Sequence, residues 1–246
     1  MRVLIIDIKQ RGKFLFSALF CLLLVSCAPS VPFVQHKPQI MPELSAQQLL
    51  DNCWLMVGYR YLCRHSGLLE VLTRKIPLEG VVKLDTTKNT ARLVAMDSMG
   101  VKLFDIAVTS DGYQLNYLLP LLEEHRQLPQ MVAQSVQHVF LAPYPQAVDQ
   151  LQRTDTGYAL LHPDSGVSFN FIGVPARLNT KVVHTNHEQW QVHYYQYKDF
   201  AVSSTGSTGT NEATEQTGLW APTGIVLDDN SGFRLTLWIQ EIRELQ

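Results

Sequence analysis

Apolar and polar positions alternate along much of this chain. Near the C-terminus, "GFRLTLWIQEI" puts Phe233, Leu235, Leu237 and Ile239 on one side and Arg234, Thr236 and Gln240 on the other, with Trp238 breaking the polar side. A period of two marks a half-buried strand. "ARLVAMDSMGVKLFDIAVTSDGYQLNYL", residues 91–118, divides into three β-type runs at Asp97-Ser98-Met99-Gly100 and Ser110-Asp111-Gly112, as consecutive antiparallel hairpins do. Further runs fall at Gly80 to Asp85, Gly157 to Leu161, Val167 to Ile172, Lys181 to His184, Gln189 to Tyr197 and Ile225 to Asp228. About ten short strands without helical crossovers predict a mainly β (α+β) fold, one large antiparallel sheet that is curled or closed.

Two segments break the alternation. "SAQQLLDN" predicts a short helix, with Ser45 and Gln48 at capping-box spacing. "LPQMVAQSVQHVFLAPYP" spaces Met131, Val132, Val136, Val139 and Phe140 as a helix would, and Pro143 and Pro145 end it. Such a helix must bury its apolar side against the sheet, as a plug or lid. The surfaces that would meet are Val94, Met96, Phe104, Ile106, Leu235 and Leu237 on the sheet and Met131, Val136 and Phe140 on the helix. Those nine positions are the candidate lining of a hydrophobic-ligand cavity, and equally the candidates for an ordinary packed core.

The N-terminus follows another pattern. Arg2, Lys9, Arg11 and Lys13 precede twelve largely apolar residues, Phe14 to Val25, a stretch of signal-peptide length and too short to span a bilayer. The run ends at Leu24-Val25-Ser26-Cys27, which resembles the lipobox of bacterial lipoproteins. That resemblance implies cleavage before Cys27 and acylation of Cys27. Ala28 replaces the aspartate that usually retains such proteins in the inner membrane, so the expected place is the periplasmic face of the outer membrane. Several acyl chains hold a protein durably where one does not. Residues 1–26 are thus the predicted signal peptide and 27–43 an acylated cysteine with a tether carrying Pro29, Pro32, Pro38 and Pro42. Residues 44–246 are expected to form one β domain, with a mobile loop at 203–218, "SSTGSTGTNEATEQTG".

Charge changes the picture by exclusion. The chain carries a net charge of −2, and loss of residues 1–26 would take it to −5; no basic stripe marks a nucleic-acid surface. Cys53 and Cys63 stay open between a disulfide and two free thiols. His184, His187 and His193 lack an acidic or cysteine ligand at a recognisable spacing, and Ser165 lacks a nucleophile elbow. Asp228-Asp229-Asn230-Ser231-Gly232 reads as a turn, too short for a calcium loop. The expectation is no enzyme, no cofactor and no metal.

The order of tether, short helix, antiparallel run, helix and closing hairpins, with "WQVHYYQYKDF" and "APTGIVLDDNSGFRLTLWIQEI", resembles the LolA/LolB-like periplasmic lipoprotein carriers over roughly residues 54–245. "ARLVAMDSMGVKLFDIAVTSDGYQL", with a helix ending in "FLAPYP", is similar to a branch of lipoproteins of unknown function in that group. The resemblance implies an incomplete barrel with helices over its mouth and a concave interior for acyl chains. It implies as client a lipoprotein acyl chain, or a fatty-acid-like or aryl polyene lipid, delivered by a periplasmic carrier protein. The alternative is an envelope-assembly lipoprotein whose core is filled and whose loops bind partners.

Overall fold

A computed structural model describes residues 31–34, 41–71, 74–163, 165–185, 188–200, 218–229 and 233–245. Cys27, the leader, most of the tether, His187 and residues 203–217 of the expected loop lie outside the described residues. Residues 35–246 cluster as one unit.

The chain runs through α1 (Ala46–Leu50), β1 (Arg60–Val71), β2 (Arg74–Asp85), β3 (Thr90–Met96), β4 (Lys102–Thr109) and β5 (Tyr113–Leu118). α2 (Leu128–Phe140) follows, then β6 (Gln150–Arg153), β7 (Gly157–Leu161), β8 (Val167–Ile172) and β9 (Arg177–His184). β10 (Gln189–Phe200), β11 (Leu219–Asp228) and β12 (Phe233–Leu245) complete it. All twelve strands form one antiparallel sheet in the order β5-β4-β3-β2-β1-β12-β11-β10-β9-β8-β7-β6. The first and last strands therefore pair at its centre. β5 and β6 are its two edges and do not pair, so of the curled and closed sheets the strand pattern allows, the chain forms the open, curled one that the resemblance implies.

Because β5 and β6 are consecutive in the chain, residues 119–149 run from one edge to the other and carry α2 with them. α2 packs on β3, β4, β5 and β11. Its buried residues include Leu128, Val132, Ala133, Val136, Val139 and Phe140, the expected apolar stripe. α1 carries the predicted capping box: the Gln48 backbone N–H donates to Ser45 Oγ (3.3 Å) and the Ser45 N–H donates to Gln48 Oε1 (2.8 Å). Among the described residues, no helix is long and apolar enough to cross a membrane.

β12 alternates as expected, burying Phe233, Leu235, Leu237 and Ile239. A bulge then leaves Gln240 between the pairs His65/Ile239 and Arg64/Glu241, and this extra residue moves Ile242 onto the inner face.

Val94 and Met96 are a correction. β3 buries Ala91, Leu93 and Ala95, so Val94 and Met96 stand on the outer face and line nothing inside. The run "ARLVAM" is apolar at both parities, and Arg92 settles which one faces out. Its guanidinium reaches Asp105 on β4 with Nε–Oδ1 at 2.9 Å and a second N–O contact at 2.7 Å, and Asp105 pairs with Val94 across the strands. Arg92 beside it holds the Asp105 carboxyl below the usual carboxylate range. Phe104 and Ile106 point inward, opposite Ala95 and Leu93.

Candidate functional site

α2 and the inner face of the sheet meet in an apolar seam. On β1 the inward positions are Tyr61, Cys63, His65, Gly67, Leu69 and Val71; on β2 they are Ile76, Leu78, Gly80, Val82 and Leu84. Under the middle of α2 a void of about 20 Å³ remains, lined among others by His65, Leu78, Phe104, Val136, Phe140 and Leu237. That is room for about one water molecule.

At the N-terminal end of α2 the seam widens into a groove of about 530 Å³. Its floor is Val71, Ile76, Leu128 and Met131, and its rim is Arg74, Glu124, His125 and Arg126. Void and groove lie along one surface. Leu69 lines the void and Val71 the groove, two residues on; Leu78 and Ile76 do the same on β2, and Val132 and Leu128 one turn apart on α2. Arg74 reaches His125 Nε2 at 3.3 Å, joining the sheet to the loop before α2. A concave, largely apolar volume of this size with a few charged groups at its edge is the usual form of a small-molecule site.

Solved structures of similar architecture are found at low identity. A LolA superfamily protein from Nitrosomonas europaea shares 11% identity over 81% of this chain and 93% of its own, with a TM-score of 0.43. An outer membrane lipoprotein-sorting protein domain from Vibrio parahaemolyticus shares 9% over 82% and 94%, at 0.46. A DUF1329 family protein from Desulfovibrio piger shares 5% over 75% and 85%, at 0.39. No family model and no curated protein matches the chain. None of these likenesses carries a residue role across.

The other end of α2 is fastened. Buried Lys181 on β9 donates from Nζ to the carbonyls of His138 (3.1 Å) and Leu141 (2.9 Å), capping the helix C-terminus, and burial pushes its ammonium down to about 7. His138 stacks on Trp190 with ring centroids 4.0 Å apart, and Trp190 Nε1–H donates to Glu188 Oε1 at 2.7 Å. Gln137 Nε2 donates to the Thr109 carbonyl at 2.7 Å. Lys181→Met is expected to cost about 2 kcal/mol in urea unfolding, because two helix-end carbonyls lose a donor.

Beyond this clasp the chain packs its own side chains, leaving a second void of about 20 Å³ among Cys53, Trp54, Phe169, Lys181 and Tyr194. Trp54 packs edge-on to Phe140 (6.3 Å) and Tyr194 (5.9 Å). Cys53 and Cys63 are free thiols, so of the two states left open by the sequence the structure has the unbridged one. Cys63 faces inward from β1, while the Cys53 thiol donates to the Leu49 carbonyl at 3.6 Å. Burial pushes both thiols up to about 12, which leaves them protonated and inert.

Of the predicted lining, Phe104, Val136, Phe140, Leu235 and Leu237 surround the void, Met131 lines the groove, and Ile106 is fully buried without touching either. His184 is exposed and His193 lies beside Tyr195 with rings 6.1 Å apart. Among the described residues no three His, Cys, Asp or Glu side chains are placed to hold a metal. Sequence reasoning missed His65 and Lys181. His65 was detectable, since it shares the parity of Tyr61, Cys63 and Leu69; Lys181 carries no such signal.

Proposed function

We propose that this protein is a membrane-anchored carrier in the bacterial envelope that takes the hydrophobic chain of a lipid or lipoprotein into the groove beside α2. The observation that carries this reading is the 530 Å³ groove with its apolar floor, continuous by strand register with the seam beneath the helix. Cys27 is the proposed acylated anchor, the outer membrane its proposed site, and a soluble periplasmic carrier the proposed donor of a lipoprotein acyl chain or a fatty-acid-like or aryl polyene lipid. No chemistry is asked of the protein, and no enzyme activity, cofactor, metal or nucleic acid is part of the proposal. Transfer follows differences in apolar burial, about 0.8 kcal/mol per CH₂.

The test is uptake of cis-parinaric acid, whose fluorescence rises in an apolar site. Binding in the micromolar range is expected, with Met131→Asp weakening it at least tenfold while the thermal midpoint stays put, because Met131 is half-buried at the groove and a carboxylate there would have to be desolvated by the ligand. No uptake by the unaltered protein would sink the proposal. A second reading, an envelope-assembly lipoprotein with a filled core, is favoured by the smallness of the 20 Å³ void; it predicts no uptake.

A further inference from the structure

The blind end of the seam is not purely apolar. His65 is 2% exposed, and its Nδ1 makes no hydrogen bond of ordinary geometry among the described residues, although the ring also interacts with the backbone of Cys63 on its own strand. Buried polar atoms are almost always paired, so an orphan that borders a void calls for a physical account. The imidazole is held in place rather than adrift. It lies across from Gly80, where a Cβ would come within 2.8 Å of Cε1 and Nε2 of the ring. Ser135 lines the same void from α2; its hydroxyl donates to the Met131 carbonyl at 2.7 Å and keeps its lone pairs for another donor. Everything else around the void is hydrocarbon: Leu69, Leu78, Val82, Leu93, Phe104 and their neighbours.

Position along β1 relates this orphan to the groove. Val71 at the groove and His65 at the void are six residues apart on one strand, about 20 Å, the span of a long extended acyl chain. With α2 fastened at its C-terminal end by Lys181, a chain that enters at the groove would lift the N-terminal half and end beside His65. Resting on the carrier reading above, we infer that the ligand is an amphiphile with a hydrogen-bonding group, in the simplest form a hydroxyl, at the buried end of its chain, received by His65 Nδ1 with Ser135 alongside. A hydroxyl both donates and accepts and therefore suits either tautomer of the imidazole. A plain hydrocarbon end leaves the nitrogen as unpaired as before.

Competition on the full-length protein tests this, with palmitic acid and ω-hydroxypalmitic acid displacing bound cis-parinaric acid. The hydroxylated acid is expected to displace it at about one tenth the concentration palmitic acid needs. His65→Leu should reverse that order, and His65→Gln, which keeps a hydrogen-bonding group, should preserve it. Palmitic acid performing as well as or better than its hydroxylated form in the unaltered protein overturns the inference and leaves the carrier reading standing. Failure of cis-parinaric acid to bind at all overturns both. The order of the two acids in the unaltered protein decides even where His65→Leu does not fold.

Discussion

Trp54→Ala is expected to cost about 3–5 kcal/mol of stability, the usual range for emptying the site of a buried tryptophan. The indole is 2% exposed and sits where three parts of the chain meet: Phe140 at the end of α2, Tyr194 on β10, and Leu49 and Leu55 on either side of it in sequence. The indole already borders a void of about 20 Å³, so its removal enlarges an existing cavity. Urea unfolding followed by circular dichroism should show the midpoint falling with the slope unchanged. A loss under about 1 kcal/mol, as a surface site would give, would mean that the segment after α1 does not plug the sheet. The consequence for function is spatial. If Trp54 fills the curl beneath β10, ligand is confined to the side bounded by β1, β2, β12 and α2, and Trp54→Ala should leave uptake of cis-parinaric acid unchanged.

Which elements were legible follows from how single-minded their residues are. α2 could be read because its apolar residues recur at helical spacing and two prolines close it; α1 because Ser45 and Gln48 satisfy each other's backbone. β12 could be read up to Ile239, and no further, since an extra residue at Gln240 reverses the parity and nothing in "WIQEI" announces a bulge. β3 was misread for the opposite reason: Leu93, Val94, Ala95 and Met96 are all apolar, and only the partner that Arg92 finds at Asp105 fixes the face. β1 went unassigned because Leu62 and Leu68 lie on its outer side while His65 and Gly67 interrupt the inner one. β6, "QLQR", is exposed throughout and is a strand only because β7 pairs with it. Of the groove only Met131 could be read. The groove floor combines the end of the β1–β2 hairpin with the start of α2, more than fifty positions apart, and only the crossing from edge β5 to edge β6 brings them together.

Acid is expected to loosen the same seam. Burial pushes the His65 imidazole down to about 4 from its ordinary value near 6.5, against a smaller opposing effect of the Cys63 backbone, and no carboxylate stands beside it in the void. Between those two values the unfolded chain binds a proton that the folded one refuses, so stability falls as pH drops from about 6.5 to about 4 and is restored above 6.5. The full contribution of this one group is on the order of 3 kcal/mol. Burial also lowers His138 to about 4, with Glu188 3.1 Å from its Nε2 opposing and the Lys181 ammonium adding to the shift, so the two histidines contribute comparably to this limb. Lys181 acts in a different window: its folded value near 7 lies below the ordinary one near 10.5, so its contribution grows between those limits and leaves the acid limb untouched. Urea midpoints measured from pH 7 to pH 4 should therefore fall steeply in the unaltered protein and by roughly half as much in His65→Leu. An equally steep fall in both would place the acid sensitivity at His138 and the α2 clasp instead. The site of the fall matters for the ligand: below about pH 4 a proton taken up by His65 puts a charge at the blind end of the seam with no carboxylate beside it in the void, and both ring nitrogens then donate, so the ligand's hydroxyl would serve there as acceptor alone.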